Sequence, residues 1–331
     1  MWLERHWQHR TRLSYALYPL SLVFRAVAAI RRRAYAFGIL RSYRMPVPVV
    51  VVGNITVGGT GKTPLVLWLA AFLQRHGMHP GIVSRGYGGR ADAPLEVTPA
   101  IGTSTAGDEP VLLAARSSCP VWIGRDRVAA ARALIKAHPE CDVIIADDGL
   151  QHYRLARDVE IAVVDGARGL GNGYTLPAGP LREPRARLAS VDAVVINAST
   201  ANRAERPNSY VMRLEGSRFR NLADPQRVAL AADFAGKRVV AIAGIGHPPR
   251  FFAHLEALGM TFESRAFADH HAFQASDLAF AGADAIVMTE KDAVKCAAFA
   301  STRHWVLPVD AAPDPQLGPL VLRKLQTARA K

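Results

Sequence analysis

A glycine-rich loop between an apolar strand and a helix constrains the fold of this chain more than any other feature. Residues 49–52 are consecutive valines, which is typical of a strand buried in a parallel sheet. The loop that follows reads GNITVGGTGKTP over residues 53–64, and the apolar spacing after it predicts a helix. Strand, glycine loop, Lys-Thr and helix in this order predict a P-loop, the phosphate-binding loop of many ATP-using enzymes.

Each part of this loop has a chemical role toward ATP. Glycines let backbone N–H groups turn inward around phosphate oxygens, and the following helix adds the positive end of its dipole. Lys62 is expected to reach the terminal phosphates, and the Thr63 hydroxyl is expected to bind Mg²⁺. The residues predicted to bind the nucleotide are Thr56, Val57, Gly58, Gly59, Thr60, Gly61, Lys62 and Thr63.

Asp147 and Asp148 directly follow a second apolar run at 142–146, which predicts another buried strand. Carboxylates at the C-terminal end of a parallel strand lie in the crevice where ligands bind. One of the two is therefore expected to hold Mg²⁺ beside Thr63, and the sequence leaves open which one does so.

Two further groups of polar residues allow more than one interpretation. Asp108 and Glu109 precede Pro110 and could begin a helix, or they could act as a general base and a second metal ligand. The sequence Asp269-His270-His271 could hold a base oriented by a carboxylate, or a capping aspartate followed by two surface histidines. The residue types and their spacing do not distinguish between these interpretations.

The chain is basic, because 41 lysines and arginines against 28 acidic residues give a formal net charge of +13. This charge favours anionic partners such as nucleic acid, an anionic membrane or a phosphorylated substrate. Arg125, Arg127 and Arg182 lie in or beside loops, where arginine is either a phosphate ligand or a solvated surface charge. Three widely spaced cysteines argue against a disulfide framework or a structural zinc site.

Residues 1–44 differ from the rest of the chain, since they contain nine arginines and one acidic residue, Glu4. The apolar segment between the arginines has helical spacing but contains Pro19, and Arg12 and Arg25 bracket only a short stretch. We expect an interfacial helix rather than a membrane span, with Trp2 and Trp7 at the level of the lipid headgroups. The alternative is a helix packed on the core of the protein itself.

Several segments together resemble the tetraacyldisaccharide 4′-kinase family of lipid A biosynthesis. They occur in the family's order, the resemblance covers the chain from about residue 2 to about residue 295, and the combination is more specific than the P-loop alone. The matching segments are Gly53-Asn54 with Gly58–Pro64, Ser84–Gly88, Gly107–Pro110, Asp147–His152, Leu176–Glu183, Asp269–His271 and Thr289–Lys295.

The resemblance implies an ATP- and Mg²⁺-dependent kinase that phosphorylates the 4′-hydroxyl of a tetraacyldisaccharide 1-phosphate lipid. It implies Asp108 as the general base, coupled to His270, with Lys62 as the third catalytic residue. It also implies a metal site at Thr63, Asp147, Asp148 and Glu109, and nucleotide contact by Gln151. The residues implied for the substrate are Arg125, Arg127, His152 and Arg182.

Alternating strands and helices predict an α/β fold of the P-loop type, with a doubly wound, mostly parallel sheet. We predict an N-terminal interfacial helix at 1–44, a kinase domain at 45–225 and a smaller α/β domain at 226–331 that closes over the active site. The expected location is the cytoplasmic face of the bacterial inner membrane, without nucleic acid or an obligate protein partner. The alternative function is a membrane-peripheral P-loop ATPase switch that regulates a protein partner.

Overall fold

Two sheets organise the chain, and the P-loop lies at the C-terminal edge of the larger one. The computed structural model describes residues 5–98, 101–198 and 207–329. The helices in these ranges are α1 (Arg12–Ala36), α2 (Lys62–Arg75), α3 (Thr103–Ala106), α4 (Asp108–Ser117), α5 (Arg127–Ala137), α6 (Pro248–Ala257), α7 (Glu290–Cys296) and α8 (Leu317–Arg329). The strands are β1 (Val49–Gly53), β2 (Pro80–Ser84), β3 (Leu95–Glu96), β4 (Val121–Ile123), β5 (Val143–Asp147), β6 (Val159–Asp165), β7 (Ala193–Asn197), β8 (Ser209–Glu215), β9 (Arg218–Asn221), β10 (Val228–Leu230), β11 (Val239–Ala243), β12 (Glu263–Ala266), β13 (Ala285–Thr289), β14 (His304–Leu307) and β15 (Asp310–Pro313).

The larger sheet has the order β15-β8-β7-β6-β1-β5-β2-β4-β3, and only its two edge strands run antiparallel to their neighbours. The valines of β1 explain its central position, because a strand covered on both faces needs apolar side chains at every residue. Val50 and Val52 pack with α2 and α8 on one face, and Val49 and Val51 pack with α5 on the other. The polar C-terminal ends of β1, β5 and β6 are thereby brought to one edge.

The smaller sheet has the order β10-β9-β14-β13-β11-β12 and carries α6 and α7. It begins at Arg218, a few residues before the predicted boundary at 225/226. The chain then leaves it again, since β15 pairs with β8 and α8 packs into the core of the larger sheet. Residues 310–329 therefore belong to the larger sheet rather than to the predicted C-terminal domain. The sequence did not show this return because pairing between distant strands leaves no local signal.

The helix α1 runs unbroken through Pro19 and is longer than the short apolar stretch between Arg12 and Arg25. Its length and composition are sufficient to cross a membrane, although one such helix near an N-terminus is weak evidence for a span. Its two buried side chains are the serines Ser14 and Ser21, and the Ser21 hydroxyl donates a hydrogen bond to the Thr175 carbonyl at 2.7 Å. The exposed apolar side chains of the helix are Tyr15, Tyr18, Leu20, Leu22, Val23, Val27 and Ile30.

This arrangement inverts the usual pattern of a helix on a water-soluble protein, which buries its apolar side chains. Trp7 departs from the prediction that placed it at headgroup level, because its ring is buried and its indole N–H donates to the Pro177 carbonyl at 3.0 Å. A partner for the indole N–H inside the protein explains this burial. The corresponding prediction for Trp2 lies outside the described residues.

Candidate active site

The P-loop presents an open helix N-terminus. Gly61 precedes α2 with a φ of +89°, a left-handed conformation that favours glycine, and no side chain caps the helix. The Asn197 side chain donates a hydrogen bond to the Thr60 carbonyl at 3.0 Å, and a Cβ at position 61 would lie 2.3 Å from its amide nitrogen. The first N–H groups of α2 are thus left for an anion.

Backbone contacts hold the start of the loop in place. The Val57 N–H donates to the Pro180 carbonyl at 2.9 Å, and the Arg182 N–H donates to the Ile55 carbonyl at 2.7 Å. Gln151, which the family resemblance assigned to the nucleotide, donates its side-chain N–H to the Asn54 carbonyl at 3.0 Å. In this structure Gln151 therefore supports the loop.

Lys62 lies at the centre of the phosphate side of the site. Its Nζ is 3.4 Å from Asp148 Oδ1, and Arg182 Nη1 is 3.2 Å from Asp148 Oδ2. Burial alone would raise the pKa of Asp148, but Lys62 and Arg182 outweigh burial and lower it to about 2. Asp148 is thus ionised and already neutralised by two cations.

Asp147 is the better candidate for a metal ligand. Its side chain is buried, Ser84 donates a hydrogen bond to Oδ2 at 2.9 Å, and Oδ1 is buried without a hydrogen-bond partner in the described chain. Burial and the nearby carboxylates of Glu109 and Asp148 raise the pKa of Asp147. A buried carboxylate oxygen without a partner fits a cation such as Mg²⁺.

Glu109 lines the same cavity as Lys62 and Thr63. Within residues 5–98, 101–198 and 207–329, no three acidic, histidine or cysteine side chains form a ready-made metal cluster. Mg²⁺ commonly binds through one or two carboxylates together with substrate phosphates and water, so a complete protein cage is not required. The residues therefore fit a cation that arrives with the nucleotide.

Asp108 begins α4, beside the larger sheet, and His270 follows β12 of the smaller sheet; their side chains are in contact. Gly107 caps α4 and Asp108 is its first residue, so the carboxylate is free to point into the site. His270 Nδ1 lies 3.1 Å from Asp108 Oδ2, and the backbone of His270 has a φ of +59°. The hydrogen bond to Asp108 raises the pKa of His270, and burial opposes it. Burial would raise the pKa of Asp108, but the bond from His270 and the charge of Lys291 lower it.

Lys291 is a site residue for which no role was predicted from the sequence. Its Nζ lies 3.2 Å from Glu109 Oε1, 3.6 Å from Asp269 Oδ1 and 3.8 Å from Asp108 Oδ2. Burial would lower the pKa of Lys291, but these three carboxylates raise it, so the side chain stays charged. Its position within the matching segment Thr289–Lys295 was the one available signal.

The predicted substrate residues separate into two groups. Arg127 is buried, reaches the Asp148 carbonyl at 3.5 Å, and has its pKa lowered to about 10 by burial. His152 has its pKa lowered to about 4, by burial and by Arg127, and is neutral at pH 7. Arg125 is exposed, and no hydrogen bond or ion pair joins its guanidinium to these groups within the described residues.

A cavity between the two sheets adjoins the P-loop. Gly59–Pro64 form one wall, and the smaller sheet contributes Arg250 and Lys291 to the other. Much of the lining is apolar, with Leu67, Leu112, Leu214, Phe251, Leu307 and Val309. An apolar cavity with a few convergent polar groups is typical of a small-molecule site.

Comparison with known proteins agrees with this geometry. A model of the family "Tetraacyldisaccharide-1-P 4′-kinase" matches residues 13–326. The chain belongs to this family. A tetraacyldisaccharide 4′-kinase from Azoarcus sp. (strain BH72) is 52% identical over 326 residues, which cover 98% of this chain and 95% of that protein. The corresponding protein of Methylobacillus flagellatus is 47% identical, with 98% and 96% covered.

A solved structure extends the likeness to three dimensions. The crystal structure of LpxK from Aquifex aeolicus in complex with ATP superposes with a TM-score of 0.81 at 28% identity, covering 95% of this chain and 99% of that one. The predicted family, the α/β fold with its doubly wound sheet and the predicted enzyme class, a kinase, are confirmed. The roles of individual site residues stay predictions.

Proposed function

We propose that this kinase transfers the γ-phosphate of ATP to the 4′-hydroxyl of a tetraacyldisaccharide 1-phosphate lipid. The family and its relatives carry the name of this reaction, and the structural neighbour was solved with ATP. The observation that supports the proposal most directly is that the phosphate-binding residues and the Asp108–His270 pair lie close to the same cavity. Lys62 and the open N-terminus of α2 lie on one side, and the Asp108–His270 pair lies close by, joined through Glu109 and Lys291.

On the phosphate side, the N–H groups of the P-loop and Lys62 bind the phosphates of ATP. Lys62 then exchanges its contact with Asp148 for phosphate oxygens, while Arg182 continues to neutralise Asp148. Asp147 and Thr63 would hold Mg²⁺, and Glu109 is near enough to assist. The cation supplies positive charge against the phosphate oxygens when it is bound.

On the acceptor side, the Asp108–His270 pair receives the proton of the 4′-hydroxyl. The hydroxyl oxygen forms a bond to the γ-phosphorus as the bond from that phosphorus to the β–γ bridging oxygen breaks, and ADP leaves. A sugar hydroxyl has a high pKa, so a positioned acceptor lowers the barrier as charge develops on its oxygen. Asp108 and His270 share a short contact and titrate as a pair.

On the lipid side, α1 supports attachment to a membrane. Its exposed apolar side chains suit the acyl boundary, and arginines at both of its ends suit anionic headgroups. An arginine-rich flank favours the cytoplasmic face of the inner membrane. Arg127 and Arg182 lie beside Asp148, and the neutral His152 lies beside Asp126 and Arg127; these three are proposed to contact the sugar and phosphate groups of the lipid.

The test is transfer of labelled phosphate from Mg-ATP to purified tetraacyldisaccharide 1-phosphate in detergent micelles, with Lys62→Met as the inactive control. We expect the wild type to form the 1,4′-bisphosphate and the variant to form none. ATP hydrolysis by the wild type without any lipid product would contradict the proposal and favour the regulatory ATPase. The separate prediction that the smaller sheet moves toward the P-loop on ATP binding is tested by nucleotide-dependent X-ray scattering.

A further inference from the structure

Asp165 ends β6 beside the P-loop strand, and its carboxylate joins the two sheets. Arg168 Nε lies 2.9 Å from Oδ2, and Arg250 Nη2, from the first turn of α6, contacts Oδ1. The Asp165 side chain is 2% exposed, and the N–H groups of Ala167 and Arg168 also donate to Oδ1. One carboxylate thus pairs with two guanidinium groups, so this cluster of three side chains carries one more positive than negative charge.

The two arginines differ in what else they contact. Arg168 Nη2 also donates to the Gly59 carbonyl, so this side chain is part of the support of the loop. Arg250 lines the same cavity as Gly59–Pro64, and its side chain is 28% exposed. Within residues 5–98, 101–198 and 207–329, the Arg250 Nε and Nη1 groups have no hydrogen-bond partner. Arg250 therefore keeps donors for a ligand in the cavity.

The approach of α6 to the loop is fixed by backbone contact. A Cβ at Gly246 would lie 2.8 Å from the Gly59 nitrogen, so the chain before α6 lies directly against the P-loop. Arg250 follows four residues later, after His247. Burial and Arg168 lower the pKa of His247, so Arg250 rather than His247 is the cation that the start of α6 brings to the cavity.

We propose that Arg250 is a nucleotide-binding residue that donates hydrogen bonds to the phosphate oxygens of ATP, and that Asp165 positions it. Guanidinium binds phosphate with well-aligned, charge-assisted hydrogen bonds, and a triphosphate carries more negative charge than one carboxylate. ATP would draw Arg250 toward the P-loop while Asp165 keeps Arg168 on the Gly59 carbonyl. The proposal rests on the use of ATP at this loop.

The experiment compares ATP with adenosine, which lacks phosphates, by calorimetric titration of the full chain. Arg250→Ala is expected to raise the Kd for ATP about ten- to hundredfold, as expected for one lost charge-assisted hydrogen bond, and to leave the Kd for adenosine unchanged. Arg250→Lys should restore part of the loss. Arg265→Ala is the matched control, because Arg265 lies in the same smaller sheet and, among the residues that the structure describes, forms an ion pair with Glu263 alone.

A variant of Asp165 separates phosphate binding from a purely structural ion pair. In Asp165→Asn, Arg250 loses its positioning partner but keeps its hydrogen-bond donors, so Asp165→Asn should weaken ATP binding less than Arg250→Ala does. If Asp165→Asn weakens ATP binding as much as Arg250→Ala does, and Arg250→Lys restores none of the loss, the ion pair is structural and the proposal fails. Equal losses for ATP and adenosine in Arg250→Ala would also overturn it. Failure of the wild type to bind ATP would instead refute the proposed function.

Discussion

Replacement of Asp108 by asparagine tests the acceptor side of the site most directly. The amide has the same shape and can still accept the hydrogen bond from His270, which lies 3.1 Å away. It cannot take the proton of the 4′-hydroxyl. A positioned general base contributes about 10²- to 10⁴-fold to such a rate, so kcat should fall by that factor. The Kd for ATP should not change, because Lys62 and the P-loop keep their contacts.

Replacement of His270 by glutamine should have a smaller effect. It removes one hydrogen bond to an ionised partner, which is worth about 1.5–3 kcal/mol, or roughly ten- to hundredfold in rate. Lys291 would remain 3.8 Å from Asp108 and still favour its ionised form. Because Asp108 and His270 are proposed to accept the proton as one pair, the double variant should be no slower than Asp108→Asn alone.

The assay is single-turnover transfer of labelled phosphate to the lipid, with ATP affinity measured separately. The neighbouring pair His271–Asp277, whose atoms are 3.0 Å apart, provides a matched control outside the site. Asp277→Asn should leave kcat unchanged. A loss of less than tenfold in Asp108→Asn, or a further loss on adding His270→Gln to it, would refute the proposed roles.

Three further predictions concern the loop, the pH dependence of stability and the membrane. Gly61→Ala should abolish tight ATP binding and cost about 1–3 kcal/mol of stability, measured by titration and urea unfolding, because position 61 has a φ of +89° and Asn197 lies against it. Because folding raises the pKa of His270, protonated His270 stabilises the folded protein fully below about pH 6.5, and this stabilisation is lost as the pH rises through the pKa of the folded state. The Tm of the wild type should therefore exceed that of His270→Gln by less at pH 9 than at pH 6. Val27→Glu should reduce sedimentation with anionic vesicles, since this side chain is 59% exposed on α1, and unchanged binding would argue against membrane contact through this face.

The parts of the site that depend on local sequence could be predicted. The valines of β1 and the glycines after it determine a strand and a loop within a short stretch of chain. Asp147 and Asp148 could be placed because a parallel strand ends where they begin. Each of these features could be predicted from where a residue lies within its own strand, loop or helix, without knowledge of contacts to distant segments.

The rest depends on contacts between distant segments. Lys291 and Arg250 reach the site because α7 and α6 of the smaller sheet pack beside the larger one, and neither spacing nor composition shows that. The sequence motif that contains Gln151 also does not show whether its side chain contacts the nucleotide or the backbone of the P-loop. In the structure it donates a hydrogen bond to the loop backbone at Asn54. Trp7 was predicted to be exposed because the sequence does not show that the distant Pro177 carbonyl lies beside its indole N–H.

The return of the chain to the larger sheet has a consequence for synthesis on the ribosome. The P-loop and most of the nucleotide-binding sheet emerge first, yet β8 has an unpaired edge until β15 is made. Such an edge can pair with other chains. The face of α2 that packs with Leu317 and Val321 of α8 also stays uncovered until α8 is made. We therefore expect loss of residues 310–329 to damage the ATP-binding sheet, which lies far from them in sequence, more than the smaller sheet that directly precedes them.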